Sequence, residues 1–188
     1  MTRRPRPVLA WALYDWANSA FALSVITAFV PVMLAGHWND GSPSTVTTFR
    51  LGMANALASV AVVLLAPLLG AITDQRGGRK AWLLGLTVLG AVATAALALP
   101  PAGGWWLALP LFGLASIAFF AGNSLYDALL IDVAEPADYD RVSALGYALG
   151  YLGGALLFAV NVAMLLAPAR FGLADATAAI QASFVMVA

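Results

Sequence analysis

From Val8 to Gly36 the chain runs as one long apolar stretch, and an aspartate stands inside it, within the run Tyr14-Asp15-Trp16-Ala17-Asn18-Ser19-Ala20-Phe21. About 20 apolar residues suffice to carry a helix across a bilayer. Val8, Leu9, Leu13, Phe21, Leu23, Val25, Ile26, Phe29, Val30, Val32 and Leu34 each favour insertion by roughly 0.3–0.6 kcal/mol, and together they outweigh the roughly 3 kcal/mol that an aspartate costs near a helix centre. The stretch therefore reads as a helix that inserts while keeping an acid in the hydrocarbon. An acid in that position is a functional-site candidate by default.

Composition points the same way. Of 188 residues, 62% are hydrophobic and 10% charged, against about 25% charged in soluble domains, so an all-α integral membrane protein in a lipid bilayer is expected. The chain has no cysteine, which excludes disulfides, thiolate nucleophiles and cysteine metal sites, and its one histidine, His37, cannot form a histidine metal site alone. No metal, cofactor or nucleic-acid partner is expected, and no catalytic residues. Arg3, Arg4 and Arg6 resemble the charged start of a secretory leader, but the apolar segment behind them is longer than a leader core of about 7–15 residues and carries Asp15 and Asn18. It is read as a first transmembrane helix.

Five full spans and part of a sixth are expected, at about 8–36, 48–73, 81–99, 105–131, 142–167 and 176–188. The last is too short to cross, so the sequence reads as part of a longer chain. Basic residues set the orientation. With the N-terminus in the cytoplasm, Arg3, Arg4, Arg6, Arg76, Arg79, Lys80 and Arg141 lie inside, and Arg50 and Arg170 outside. Trp11, Trp16, Trp38, Trp82, Trp105 and Trp106 fall near span ends, as an interfacial aromatic belt does. Pro31, Pro67 and Pro110 sit within spans, where each removes one backbone hydrogen bond and can kink its helix.

The polar residues inside the spans form a pattern. Asp15, Asn18 and Ser19 share one helix face by their spacing, as do Asn123 and Asp127 in the fourth span. The first span runs outward and the fourth inward, so Tyr-Asp in each lies nearer the cytoplasm and Asn-Ser deeper. This depth match suggests two polar faces around one water-accessible cavity, although a sealed hydrogen-bond cluster joining helices would use the same residues. No lysine or arginine lies within the spans near Asp15, which makes it a candidate to load and release a proton. Asn55 and Ser59 share a face of the second span, and Tyr147, Tyr151, Phe158 and Asn161 form a stripe on the fifth. The third span has only Thr87 and Thr94 as polar residues and reads as a lipid-facing support.

The loop after the second span, "GAITDQRGGRK" from Gly70 to Lys80, resembles the signature between the second and third helices of the major facilitator superfamily. Gly70, Asp74, Gly77 and Arg79 match it, while Gln75 and Gly78 stand where basic residues are expected. The segments "ALYDWANSAFAL", "GNSLYDALLIDVA" and "SALGYALGYLGG" resemble the branch of that superfamily containing the fungal autophagy-associated vacuolar amino-acid effluxers and their bacterial relatives. Asp127 and Ile131 depart from that branch, which has Asn and Pro there. Gly146, Gly150, Gly153 and Gly154 resemble the glycine pattern of superfamily antiporters, with Tyr151 in place of proline.

The resemblance implies the amino-terminal six-helix half of a major facilitator bundle, with a carboxy-terminal half completing it, in a bacterial inner membrane. It implies a secondary transporter that moves a small polar solute, with amino acids suggested, by alternating access and with proton coupling. Asp15, Asn18, Asn55, Asn123, Asp127, Tyr147 and Asn161 are the substrate or proton candidates. Gly70, Asp74, Arg76, Gly77, Arg79, Lys80, Asp132 and Arg141 are cytoplasmic gate candidates, with Arg141 expected to pair with Asp74 or Asp132. A non-transporting membrane scaffold is the alternative, since it too would use small-residue packing.

Overall fold

The structure, a computed structural model, describes residues 5–188, with side chains from residue 7 onward. Arg3, Arg4 and the side chain of Arg6, three of the basic residues used for orientation, lie outside the described residues. Among the described residues there are six helices and no strand. Helix α1 has three segments, Pro5–Ala20, Phe21–Phe29 and Val30–Ala35. The others are α2 (Ser44–Arg76), α3 (Arg79–Ala96), α4 (Trp105–Ala128, continued by Leu130–Val133), α5 (Tyr139–Leu166) and α6 (Ala176–Val187).

Four of these are long and apolar enough to cross a membrane: Pro7–Ala35, Ser44–Arg76, Trp105–Val133 and Pro136–Leu166. Helix α3 has 18 residues and α6 has 12. The expected third span, 81–99, ends early. Helix α3 stops at Ala96, and Leu97–Leu99 turn through tighter hydrogen bonds, each amide bonding three residues back, ahead of Pro100. Helix α2 begins at Ser44, inside the stretch expected to be loop, because Pro43 can precede a helix but not continue one.

The middle of α1, Phe21–Phe29, is π-helical. The Val30 amide bonds to the Val25 carbonyl, five residues back, and the Thr27 hydroxyl donates to the Ala22 carbonyl at 2.9 Å. Pro31 follows at once. Proline has no N–H and crowds the carbonyl four residues before it, and the wider turn ahead of it accommodates that defect. Between α2 and α3 the chain reverses on Gly77 (φ 70°) and Gly78 (φ 85°), a backbone region that side chains with a Cβ enter only at a cost. At the start of α6, Asp175 caps the helix by accepting from the Ala178 amide at 2.8 Å.

Packing is most extensive between α1 and α5, followed by α3 with α4 and α2 with α4, while α6 fills the space against α3 and α5. Two cores result. One joins Phe29, Trp38, Leu97, Phe112 and Phe184 near the α1–α2 loop. The other joins Trp11, Leu83, Leu125, Tyr126 and Leu129 near the α2–α3 loop. The tryptophans divide accordingly. Trp82 and Trp106 are exposed as belt residues are, but Trp11 and Trp38 are buried. Trp38 stacks on Phe184 with ring centroids 5.8 Å apart, so it seals the bundle between α1 and α6.

Candidate functional site

The glycines of α5 bring α1 close. A Cβ on Gly150 would stand 2.7 Å from Asp15 Oδ2 and 2.6 Å from Ser19 Oγ, and one on Gly153 would overlap the Trp16 carbonyl oxygen. A Cβ on Gly146 would meet the Trp11 ring at 2.6 Å. Real Cβ atoms do not stand so close, so α1 fits against α5 only because α5 carries glycine at these positions, as small-residue seams between membrane helices do. The seam places Asp15 beside α5, and Asp15 accepts from the Ser19 hydroxyl at 3.2 Å.

Across from it, α4 presents its own polar turn. Asn18 Nδ2 donates to Asn123 Oδ1 at 2.7 Å, so the two antiparallel helices meet with matched asparagines. One turn away along both helices, Asp15 and Asp127 line the same cleft of about 310 Å³. Trp11, Asn123, Tyr126, Leu130, Ser143 and Tyr147 complete its walls. Tyr126 is clamped between two rings, Trp11 at 4.4 Å and Tyr14 at 4.9 Å, and the Trp11 indole donates to the Tyr126 carbonyl at 3.0 Å. No basic side chain among the described residues lines this cleft.

The expected single cavity is instead two. Asn18 faces a separate space of about 160 Å³ towards α3 and α6, shared with Tyr14, Thr87 and Thr94. The Asn18–Asn123 bond stands between the two spaces. The Tyr14 hydroxyl reaches Thr87 Oγ1 at 3.2 Å, so α3 is not only a lipid-facing support: one of its two threonines joins the polar network. Thr87, Trp11 and Ser143 are the wall residues that sequence reasoning missed. The equal depth of Thr87 and Tyr14 on adjacent helices was the available signal for the first.

The remaining candidates separate. Tyr147 is exposed at the mouth of the cleft. Asn55 lies on an exposed part of α2 and is not a cleft residue. Asn161 is fully buried, and its amide donates to Ser24 Oγ in the π-helical segment at 3.2 Å. It ties α5 to α1 away from the carboxylates.

At the α2–α3 turn, Arg79 pairs with Asp74 and reaches Asp132 on the α4 extension at 3.6 Å. It thereby links the end of α2, the start of α3 and the end of α4. The Asp74 carboxylate, more than Asp132, raises Arg79 further above its already high ordinary value. Arg141 was expected to fill this role, but among the described residues no salt bridge joins it to Asp74 or Asp132, and it is exposed on the first turn of α5. Arg79 follows Gly78 immediately, so the tight turn aims it back at both acids. Arg76 and Lys80 are exposed beside it, and Gly70 lies one turn before Asp74 on α2.

A membrane bundle with a polar face on α1 and α4, and a basic-acidic turn between α2 and α3, defines a class of multi-pass integral membrane proteins. The family model described as Major Facilitator Superfamily matches residues 1–158, and the chain belongs to that superfamily. It is 35% identical over 190 residues to a protein of Bacillus subtilis (strain 168) described as "Uncharacterized MFS-type transporter YxiO", a match that covers 100% of this chain and 44% of that protein. The chain thus spans about half the length of the curated relative it matches.

Proposed function

We propose that this chain forms the amino-terminal six-helix half of a secondary transporter, and that the cleft between α1, α4 and α5 is where that half meets a small polar solute or a proton. One observation carries the reading. Asp15 and Asp127, from antiparallel helices, line one cleft beside the Asn18–Asn123 bond, although each works against membrane insertion. Transporters of this architecture bind at the interface of two repeats and alternate its access. The Asp74–Arg79–Asp132 cluster then acts as a cytoplasmic gate, with the N-terminus on the same side, as the distribution of basic residues implies. The branch resemblance puts amino acids first among the solutes, and a proton carried by Asp15 would supply the coupling.

Flux into proteoliposomes containing the full-length protein tests this. Asp15→Asn and Asp127→Asn should each reduce uptake by about tenfold or more, as expected when a charged partner is lost from a binding site, and Asp15→Asn should also remove its dependence on a pH gradient. Unchanged uptake in both variants ends the carrier reading of these residues.

A further inference from the structure

Two carboxylates facing one cleft favour a positively charged occupant. Asp15 and Asp127 line the cleft, and among the described residues no lysine, arginine or histidine does. A second observation is independent of the acids. Tyr126, on the same wall, is only 6% exposed, and its hydroxyl has no hydrogen-bond partner among the described residues. A buried hydroxyl without a partner costs about 1–3 kcal/mol, so the site carries a polar atom in need of one. That hydroxyl is within electrostatic reach of both carboxylates and lies 3.2 Å from where a Cβ on Gly146 would stand, on the α5 side of the cleft. Both faces of its ring are already covered, by Trp11 and Tyr14. The oxygen is therefore the part of Tyr126 left to serve a ligand.

From this we infer that the solute carries a protonated amine, held by Asp15 and Asp127 with the Tyr126 oxygen accepting one of its N–H groups. The inference rests on the carrier reading above and names its substrate class. An ammonium group has N–H donors and no acceptor, which matches a site whose free groups are two carboxylates and a phenol oxygen. A solute whose only charge is a carboxylate finds no cation among the described residues of this cleft. A bare metal ion would not use a cleft of about 310 Å³ walled by Trp11 and by Tyr147, which is 63% exposed. Carbon surface of that kind suits the organic body attached to the amine, and an open aromatic face attracts a cation.

Binding to the full-length protein in detergent, followed by calorimetry, tests the inference with phenethylammonium, 2-phenylethanol and phenylacetate as isosteres of three charges. Phenethylammonium should bind about tenfold or more tightly than either, as the loss of charge-assisted bonds predicts. Asp127→Asn should lower its affinity by about the same factor, while Asp140→Asn, which removes an equal charge elsewhere on the surface, should leave it unchanged. Tyr126→Phe separates a ligand role from a structural one. It should weaken phenethylammonium binding about threefold or more while leaving the unliganded protein no less stable, because the deleted hydroxyl has no partner to lose. Equal affinity for the amine and the alcohol overturns the inference. So does a shift on exchanging sodium for potassium salts with no response to the amine, which would mark an inorganic cation. Amine binding without flux would support this inference and sink the carrier reading. Flux of a neutral solute that depends on Asp15, without amine binding, would do the reverse.

Discussion

Both ends of α4 are held by an arginine and aspartates, and the two ties are built differently. Near the α1–α2 loop, Arg50 grips Asp40 with two bonds, at 3.0 and 3.1 Å. The Trp105 indole donates into the same carboxylate at 2.9 Å, and the Arg50 guanidinium lies 3.7 Å from the centre of the Trp105 ring. At the other end Arg79 is divided between Asp74, whose side chain is 62% exposed, and Asp132, at 51%. A bidentate pair covered by an aromatic ring keeps one geometry. A single arginine shared between two solvated carboxylates is screened and contributes little to stability. The packing beneath follows the same division: Trp38, Leu97, Phe112 and Phe184 are fully buried under the first tie, while the carboxylate cleft opens on the side of the second. The difference teaches that the Asp40 end is tied by a sheltered bidentate pair over a filled core, and the Asp74 end by a shared, solvated arginine beside an open cleft.

The largest expected effect tests the packing side of that contrast. Phe112 is fully buried, and Phe112→Ala should destabilise the protein by about 3–5 kcal/mol, the usual range for deleting a core aromatic. Leu129, 7% exposed beneath the Asp74 end, should cost less on truncation, about 2 kcal/mol at the low end for a buried leucine, because the neighbouring cleft lets the site relax. Thermal unfolding of both variants in one detergent decides it. A loss at Leu129 equal to that at Phe112 would mean that the two ends are equally rigid.

The ion pairs supply the next, smaller effect. Asp40→Asn should lower the melting midpoint, and adding salt should not reproduce the loss, since the pair it breaks is bidentate and sheltered by Trp105. Asp74→Asn should barely move the midpoint, and raising salt in the wild-type protein should mimic it, because charges this exposed are screened within about 10 Å at moderate ionic strength. If salt were to weaken the Asp40 end as much as the Asp74 end, the comparison would lose its electrostatic basis.

How much of this the sequence revealed depends on range. Four of the spans read from hydropathy fall on helices long and apolar enough to cross a membrane, because insertion depends on composition summed over about 20 residues. The matched depth of Asn18 and Asn123 also follows from spacing, since 1.5 Å per residue fixes depth in any straight helix, and the two side chains are in hydrogen-bond contact. Rotation about the helix axis is different, because it is set by neighbours. Asn55 was placed with the site from its polar spacing, and on α2 it is exposed and does not line the carboxylate cleft. Asn161 shares a helix with Tyr147, yet it faces Ser24 and not the cleft. The glycine stripe on α5 was visible as a pattern. Its partners on α1, Trp11, Asp15, Trp16 and Ser19, were not, because a small residue shows only that something comes close. Arg141 was expected on charge alone to pair with Asp74 or Asp132, and after the Gly77–Gly78 turn it is Arg79, also a candidate, that meets both acids. Nor did the sequence suggest the π-helical segment, which depends on how the backbone relaxes ahead of Pro31.

The smallest expected effect concerns acid. Arg50, and after it the Ser42 hydroxyl, hold the Asp40 carboxyl well below the usual carboxylate range. Asp40 sits in the loop between α1 and α2, so the ordinary aqueous reference applies to its unfolded state, about 3.9. A carboxyl depressed in the folded protein stabilises it fully above that unfolded value. The contribution then falls away as pH drops below it toward the folded value. The difference in melting midpoint between the wild-type protein and Asp40→Asn should therefore stay level from neutral pH down to about 5 and shrink below about 4, since only the unfolded carboxyl takes up a proton in that range. A difference that kept its full size into that acid range would show that Asp40 stabilises the loop through its hydrogen bonds from Ser42 and Trp105 and not through its charge. The sheltered arginine at this end would then be a packing element, and the two ties on α4 would differ in shape more than in electrostatics.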